Sequence, residues 1–329
     1  MSLSNPLPAR ISAIGSYVPS HILSNADLEK MVETNDEWIV QRTGMRERRI
    51  AAPDQFTSHL CIAAVQNMLD RYPEALSGVE LIIVTTHTPD LPSTPVSCMV
   101  QAHFGLPAVG TYDLNATCAG FAYALHTASG LIAAGLHRKI LVVGGDSMSK
   151  ITDYTDRSTC ILFGDGAGAV VVEREDERPA FLAHHFGSDG SGGKHVYRTG
   201  LASQWQDIPL TGNGKLVQNG REVYKFAVST VPDGIEQLLA KSGLSQTAID
   251  WFVPHSANLR IIQSICEKSE IPFEKALYSL EYYGNTSAAS IPLALDLGVK
   301  EGKVQTGDTL LLYGFGAGLT HAGIILRWG

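Results

Sequence analysis

A duplicated α/β architecture is expected of this chain, and three observations point to it. The glycine turn G-D-G-A-G at Gly164 to Gly168 returns as G-F-G-A-G at Gly314 to Gly318, an offset of 150 (314 − 164), and apolar strands flank both. The apolar stretch Glu80 to Thr86 resembles Asp250 to Val253, each followed by a loop and a helix pattern. The segment around Cys118 resembles that around Asn285, each passing from strand through turn to helix, at an offset of 167 (285 − 118). Repeats near half the chain length imply two similar halves. Residues 1–174 and 175–329 are expected as those halves, each a five-stranded mixed sheet with helices on both faces, layered α-β-α-β-α.

The elements follow from pattern. Ile11 to Val18 reads as a strand closed by Pro19, and Asn25 to Val32 as a helix behind a good N-cap. The next stretch sets Trp38 among Arg42, Arg46, Arg48 and Arg49. That is either a solvated charged loop with one aromatic anchor or a surface that stacks a base and binds phosphates. Thr57 to Leu69 is a helix, Glu80 to Thr86 a buried strand, and a proline-rich loop leads to a helix through Cys98 and Gln101. Ala119 to Ala134 has the small-residue pattern of a buried helix, and Lys139 to Val143 is a strand. Cys160 to Val172 reads as two strands around a glycine turn. Residues 174 to 220 read as a connecting, pocket-lining region whose His184, His185 and His195 lack ligand spacing. Val223 to Lys241 is a helix, Ile249 to Val253 a strand, and Asn258 to Lys268 a helix. Leu280 to Tyr283 ends a strand, Ser287 to Val299 is a helix, and Thr309 to Trp328 forms two strands around the last glycine turn. The glycine turns lack the Walker lysine and the full dinucleotide spacing, so close backbone packing explains them better than a nucleotide.

Composition narrows the function. The chain has 329 residues and a net charge of −8, against a whole-surface nucleic-acid binder. Its five cysteines are odd in number and irregularly spaced, which argues against a disulfide framework or zinc site and for a reducing compartment. No signal peptide or membrane span is expected, which places the protein in the cytoplasm.

Three residues stand at strand ends, where chemistry gathers in α/β sheets. Cys118 lies in D-L-N-A-T-C-A-G-F, His255 in V-P-H-S-A-N-L-R-I-I and Asn285 in Y-Y-G-N-T-S-A-A-S. Singly they read as a small core residue, a hydrogen-bonded structural histidine and a turn residue. Jointly, if the halves pack about a pseudo-twofold axis, they converge. A cysteine at a helix N-terminus is expected to have a pKa below about 8.5.

These motifs, with N-A-D-L-E-K-M-V, D-E-W-I-V-Q-R-T-G, D-Y-T-D-R and F-G-D-G-A-G, resemble the β-ketoacyl-(acyl carrier protein) synthase III family over essentially the whole chain. That family initiates bacterial fatty-acid synthesis and has a thiolase-like fold. The resemblance implies an acyltransferase in which Cys118 accepts a primer acyl group from coenzyme A. His255 and Asn285 would then drive decarboxylation of malonyl-carrier protein. It implies Trp38 and Arg157 on the coenzyme adenine with Thr34 and Arg42 nearby, Asn258 ordering the His255 site, and Ala317 supplying an oxyanion N–H. No metal or redox cofactor is implied; acyl-CoA and malonyl-acyl carrier protein are substrates. A homodimer is implied, with a loop of one subunit closing the other's acyl pocket. Two positions depart from the pattern: the dimer loop carries Leu91 where an aromatic is frequent, and Ala317 stands where some members have glycine. An acidic enzyme with an acidic carrier needs a basic face, and Arg260, Lys225 and Lys268 are the candidates.

A Cys-His-Asn hydrolase has the same chain order of residues. The unpaired cysteines, the missing secretory segment and the repeat weigh against it. A non-catalytic partner subunit would be expected to have lost one of the three residues, and none is lost.

Overall fold

The computed structural model describes residues 6–329. The first half forms a five-stranded sheet in the spatial order Ala9–Tyr17, Asp165–Arg174, Lys139–Ser147, Leu81–Thr85, Gly110–Leu114. The last three strands run parallel, and the first two pair antiparallel. The second sheet repeats this order with Phe181–Ser188, Thr320–Arg327, Thr309–Gly316 and Trp251–Pro254. Its fifth position is a single parallel bridge, Phe252 to Ala276, so this sheet has four full strands where five were expected. Pro272 and a one-turn 3-10 helix at Phe273–Lys275 leave too little extended chain for a fifth strand.

Two helices fill the space between the sheets. Gly120–Ala133 touches strands of both sheets, and Ser290–Lys300 does the same from the other half. A helix covered on two sides must be slim, which accounts for its run of Gly, Ala and Ser. Gly120 is required because a Cβ there would run into Thr85 Oγ1. One apolar cluster includes Phe121, Leu125 and Val142 with Val253, Leu312 and Ile324, so the halves share a core.

The register fixes the repeat more closely than the glycine turns do. Leu81 pairs with Ile140 and Trp251 with Leu310, an offset of 170 on both strands (251 − 81 and 310 − 140). On that frame Asn115 corresponds to Asn285, Cys118 to Ala288 and Gly144 to Gly314. The expected pairing of Cys118 with Asn285 is therefore three residues out. The two glycine turns are not equivalent either: Gly314 to Gly318 ends the Thr309–Gly316 strand and leads into the last strand of its sheet, whereas Gly164 to Gly168 opens the Asp165–Arg174 strand.

Other expectations change locally. The Trp38 stretch contains a helix, Asp36–Thr43, capped by Asn35 and ended by Gly44 at φ 78°. The Asn25 helix is one turn, Asn25–Leu28, and its N-cap is Ser24 in a capping box with Asp27. Residues 160–162 form a turn rather than a strand, Phe163 makes a single parallel bridge to Asn285, and Leu280–Tyr283 is helical. Phe181–Ser188, inside the stretch expected to be irregular, is the edge strand of the second sheet.

Candidate active site

Each half contributes a turn of the same shape. Thr117–Ala119 and Ser287–Ala289 are 3-10 turns entered through a positive φ, 47° at Thr117 and 54° at Ser287. Each is pressed against the other half. A Cβ on Gly314 would lie 2.8 Å from Ala119 Cα, and one on Gly144 would lie 2.7 Å from the Ala288 carbonyl oxygen. This exchange of turns brings Cys118 beside the second half's residues.

Cys118, His255 and Asn285 line one cavity of about 1080 Å³. Trp38, Arg42, Asn258 and Ala317 line it too, and Thr34 does not. His255 follows the Trp251–Pro254 strand and is buried. Its Nδ1 lies 2.6 Å from Ser290 Oγ. With the serine hydroxyl as donor, the ring hydrogen resides on Nε2. Burial lowers the His255 pKa to about 3, so the imidazole is neutral at physiological pH. The Asn285 backbone is clamped to the first half: its N–H donates to the Leu162 carbonyl at 2.8 Å and its carbonyl accepts from Gly164 N at 3.1 Å. Asn285 Oδ1 accepts from Ser287 N at 2.9 Å, which orients the amide and leaves Nδ2 as a donor.

The expected low thiol pKa at Cys118 is overturned. Burial pushes it up to about 12, the negative charge of Asp146 adds to the rise, and a hydrogen bond with Ser287 offsets part of it. The desolvation of a thiolate outweighs the helix N-terminus here. At rest Cys118 is a thiol.

The Arg157 guanidinium, which does not itself line the cavity, lies over the Trp38 ring at 4.5 Å and that of Arg42 at 5.9 Å. A base held between Trp38 and Arg157 needs roughly 7 Å, two contact distances, so an adenine would displace the guanidinium. Asn258 caps the Leu259–Lys268 helix, accepting from Arg260 N at 2.9 Å, and donates to the Arg42 carbonyl at 3.0 Å. It fixes the Trp38 helix, while Ser290 holds His255. The Ala317 carbonyl accepts from Thr117 Oγ1 and Thr320 Oγ1, both at 3.1 Å. Arg48 is fully buried on the Ile161 carbonyl and Asn25, which removes it from the cationic surface. The buried Thr34 hydroxyl has no hydrogen-bond partner among the described residues.

Sequence reasoning did not single out His87, Asp146, Ser287 or Ser290. The offset of 170 would have found Ser287, which corresponds to Thr117 beside Cys118.

Two family profiles match the chain: 3-oxoacyl-[acyl-carrier-protein] synthase III over residues 112–190, and its C-terminal profile over residues 239–328. The β-ketoacyl-[acyl-carrier-protein] synthase III 2 of Bacillus anthracis is 58% identical over 97% of this chain and 98% of its own. The chain belongs to the β-ketoacyl-[acyl-carrier-protein] synthase III family. The Bacillus subtilis strain 168 synthase III 2 is likewise 58% identical, over 98% of this chain and 99% of its own. The crystal structure of the Thermus thermophilus synthase III superposes with a TM-score of 0.93 at 45% identity, covering 97% of this chain and 99% of that one. The fold is thus the thiolase-like fold of this synthase family, and the chain is a condensing acyltransferase of fatty-acid biosynthesis. Among the described residues no helix is long and apolar enough to cross a membrane, and no group of three or more His, Cys, Asp or Glu side chains is placed to hold a metal ion.

Proposed function

We propose that this synthase III divides its reaction between its halves, with Cys118 as nucleophile and His255 and Asn285 as the donors that drive decarboxylation. The observation that carries the reading is that strand-end residues of both halves meet in one cavity that Trp38, covered by the Arg157 guanidinium, also lines. A primer acyl-CoA gives its acyl group to Cys118 Sγ, and backbone N–H groups of Cys118 and Ala317 hold the oxyanion. The coenzyme leaves with the thiol proton. The malonyl thioester carbonyl then accepts from His255 Nε2–H and Asn285 Nδ2–H. Carbon dioxide departs, the enolate carbon attacks the Cys118 thioester, and a β-ketoacyl-carrier product leaves. The Cys118 thiolate released in that attack takes up one proton from solvent to restore the thiol, and with that proton the atoms balance.

The coenzyme adenine replaces Arg157 on the Trp38 face, with Arg42 beside the phosphates and Thr34 nearby. The enzyme works in the cytoplasm as a homodimer. Leu91 is half-exposed and lines none of its own chain's cavity, as suits a side chain closing the pocket of a second copy. Arg260 docks the acidic carrier. It borders a polar depression with Arg42, Asn258 and Tyr224 at the cavity mouth, whereas Lys225 is paired with Glu222 and Lys268 with the Val228 carbonyl.

Intact-mass measurement after exposure to a panel of acyl-CoAs tests this. One acyl group on Cys118, released on adding malonyl-carrier protein, is expected. Branched or medium chains should load at least as fast as acetyl, because Leu91 leaves more room than an aromatic. Loading on another residue, or hydrolysis without condensation, would overturn the reading; a clear acetyl preference would overturn the role given to Leu91.

A further inference from the structure

Behind Cys118 lies a polar chain that the division of labour above leaves unused. Cys118 Sγ is 3.4 Å from Ser287 Oγ, and Ser287 Oγ is 3.3 Å from His87 Nδ1. His87 Nδ1 is 3.2 Å from Asp146 Oδ2, and the Ser287 hydroxyl also reaches Asp146. Asp146 and Ser287 are fully buried, and only 12% of the His87 side chain is exposed.

The hydrogens can be assigned by what Asp146 receives. Its Oδ1 accepts from Thr86 Oγ1 at 2.8 Å, His87 N at 2.9 Å, Thr88 Oγ1 at 2.9 Å and Thr88 N at 3.2 Å. Its Oδ2 accepts from Ala288 N at 3.2 Å. A carboxylate so surrounded by donors is anionic, and against the effect of burial its pKa is held down to about 2 by its electrostatic attraction to His87 and by hydrogen bonds from His87 and Ser287. His87 therefore points Nδ1–H toward Asp146 and, forked, toward Ser287 Oγ. That nitrogen has no lone pair left for Ser287, so the serine hydrogen has two possible targets, Asp146 and the sulfur.

We propose that Ser287 is a further catalytic residue at the nucleophile: its hydroxyl hydrogen turns from Asp146 to Cys118 Sγ as the thiol loses its proton, with His87 and Asp146 as positioning residues. In the resting state the S–H donates to Ser287 Oγ. In the thioester exchange the Sγ–H and coenzyme acyl–sulfur bonds break. The acyl–Sγ bond forms, and the proton ends on the coenzyme sulfur. Ser287 gains and loses no atom; it supplies one hydrogen bond to negative sulfur in a site that otherwise disfavours it.

The proposal rests on the acyl-Cys118 reading, so its test has two arms. One is alkylation of Cys118 by iodoacetamide at about pH 8, followed on the Cys118 peptide by mass spectrometry. The other is acylation by acyl-CoA. Ser287→Ala should slow both about 10- to 100-fold, the worth of a hydrogen bond to a charged group. Ser287→Gly, which suits the φ of 54°, should do the same and guards against misfolding of the first variant. His87→Ala should slow both by less, and His87→Gln, which keeps a donor, should recover part of the loss. In the double variant His87→Ala/Ser287→Ala the loss should equal that of Ser287→Ala alone, since His87 acts through the serine. Wild-type alkylation rates in both Ser287 variants would overturn the proposal. Multiplying effects in the double variant would overturn the role of His87. If the unaltered protein alkylates at Cys118 but accepts no acyl-CoA, the acyl-enzyme reading fails while the first arm still judges Ser287.

Discussion

The turn Thr117-Cys118-Ala119 and the turn Ser287-Ala288-Ala289 are the same backbone carrying different chemistry. Both are entered through a residue at positive φ, both lead into a helix of the central layer, and both lie against a glycine of the opposite half. The side chains differ: sulfur at the middle of one turn, a methyl group at the middle of the other. The strand ends differ in the same way, with Thr85 where the second half has His255. Duplication supplied two similar frames; at these two positions only one half carries sulfur or imidazole, whereas Asn115 and Asn285 match. A site assembled this way should come apart along the line between its halves.

Cys118→Ala makes the first turn resemble the second and should have the largest effect. Acyl-enzyme formation and condensation should vanish, while carbon dioxide release from malonyl-carrier protein, which needs two donors and no nucleophile, stays measurable. His255→Ala and Asn285→Ala should lower that release about 100- to 1000-fold each, the usual cost of one oxyanion-type donor. Both should still form the acyl-enzyme. If His255→Ala blocks acylation as fully as Cys118→Ala, the histidine is the base of a coupled pair, and the hydrolase-like reading gains weight.

Matched glycine substitutions compare the frames themselves. Gly314→Ala and Gly144→Ala each force a methyl group against the opposite turn and should each cost about 1–3 kcal/mol in urea unfolding. Their activities should part company. Gly314→Ala presses on the Cys118 turn and should slow acylation. Gly144→Ala presses on Ala288, which is flanked by Ser287 of the acylation step and lies three residues from Asn285 of the decarboxylation step, and should slow both. Equal damage to both steps by both variants would show that the turns move as one body.

Much of this was legible in the chain because it is written locally. The strands at Lys139 to Val143 and Thr309 to Trp328 are apolar runs bounded by turns, and their existence needs no tertiary knowledge. Cys118, His255 and Asn285 stood out because each sits where an apolar run stops. What escaped was written in pairs. The helix Asp36–Thr43 is polar and mostly exposed, held by its Asn35 cap and Gly44 end, so no apolar stripe marks it. The edge strand Phe181–Ser188 includes His184 and His185 and pairs with Thr320–Arg327, distant in sequence. The thiol pKa was misjudged because helix polarity is a local property and burial is not. Ser287, His87 and Asp146 matter only through one another, and no single one has a distinctive sequence.

The smallest expected effect lies at the rim and concerns the second half alone. Arg260 is the second residue of the Leu259–Lys268 helix, after the Asn258 cap. A positive charge there opposes the helix dipole, so helix stability gives no reason for it. Its one polar side-chain contact among the described residues is Nε donating to the Gln41 carbonyl at 2.8 Å, on the helix that carries Trp38. If carrier docking is its task, Arg260→Glu should raise the KM for malonyl-carrier protein about tenfold or less, as for a rim charge. That rise should shrink as salt is added. Acyl-CoA transfer to Cys118 should change little, and the folded state should gain a few tenths of a kcal/mol from a carboxylate at the helix start. The stability gain matters to the logic, because it separates loss of docking from loss of structure. Equal falls in both half-reactions, insensitive to salt, would instead assign Arg260 to holding the Trp38 helix through Gln41.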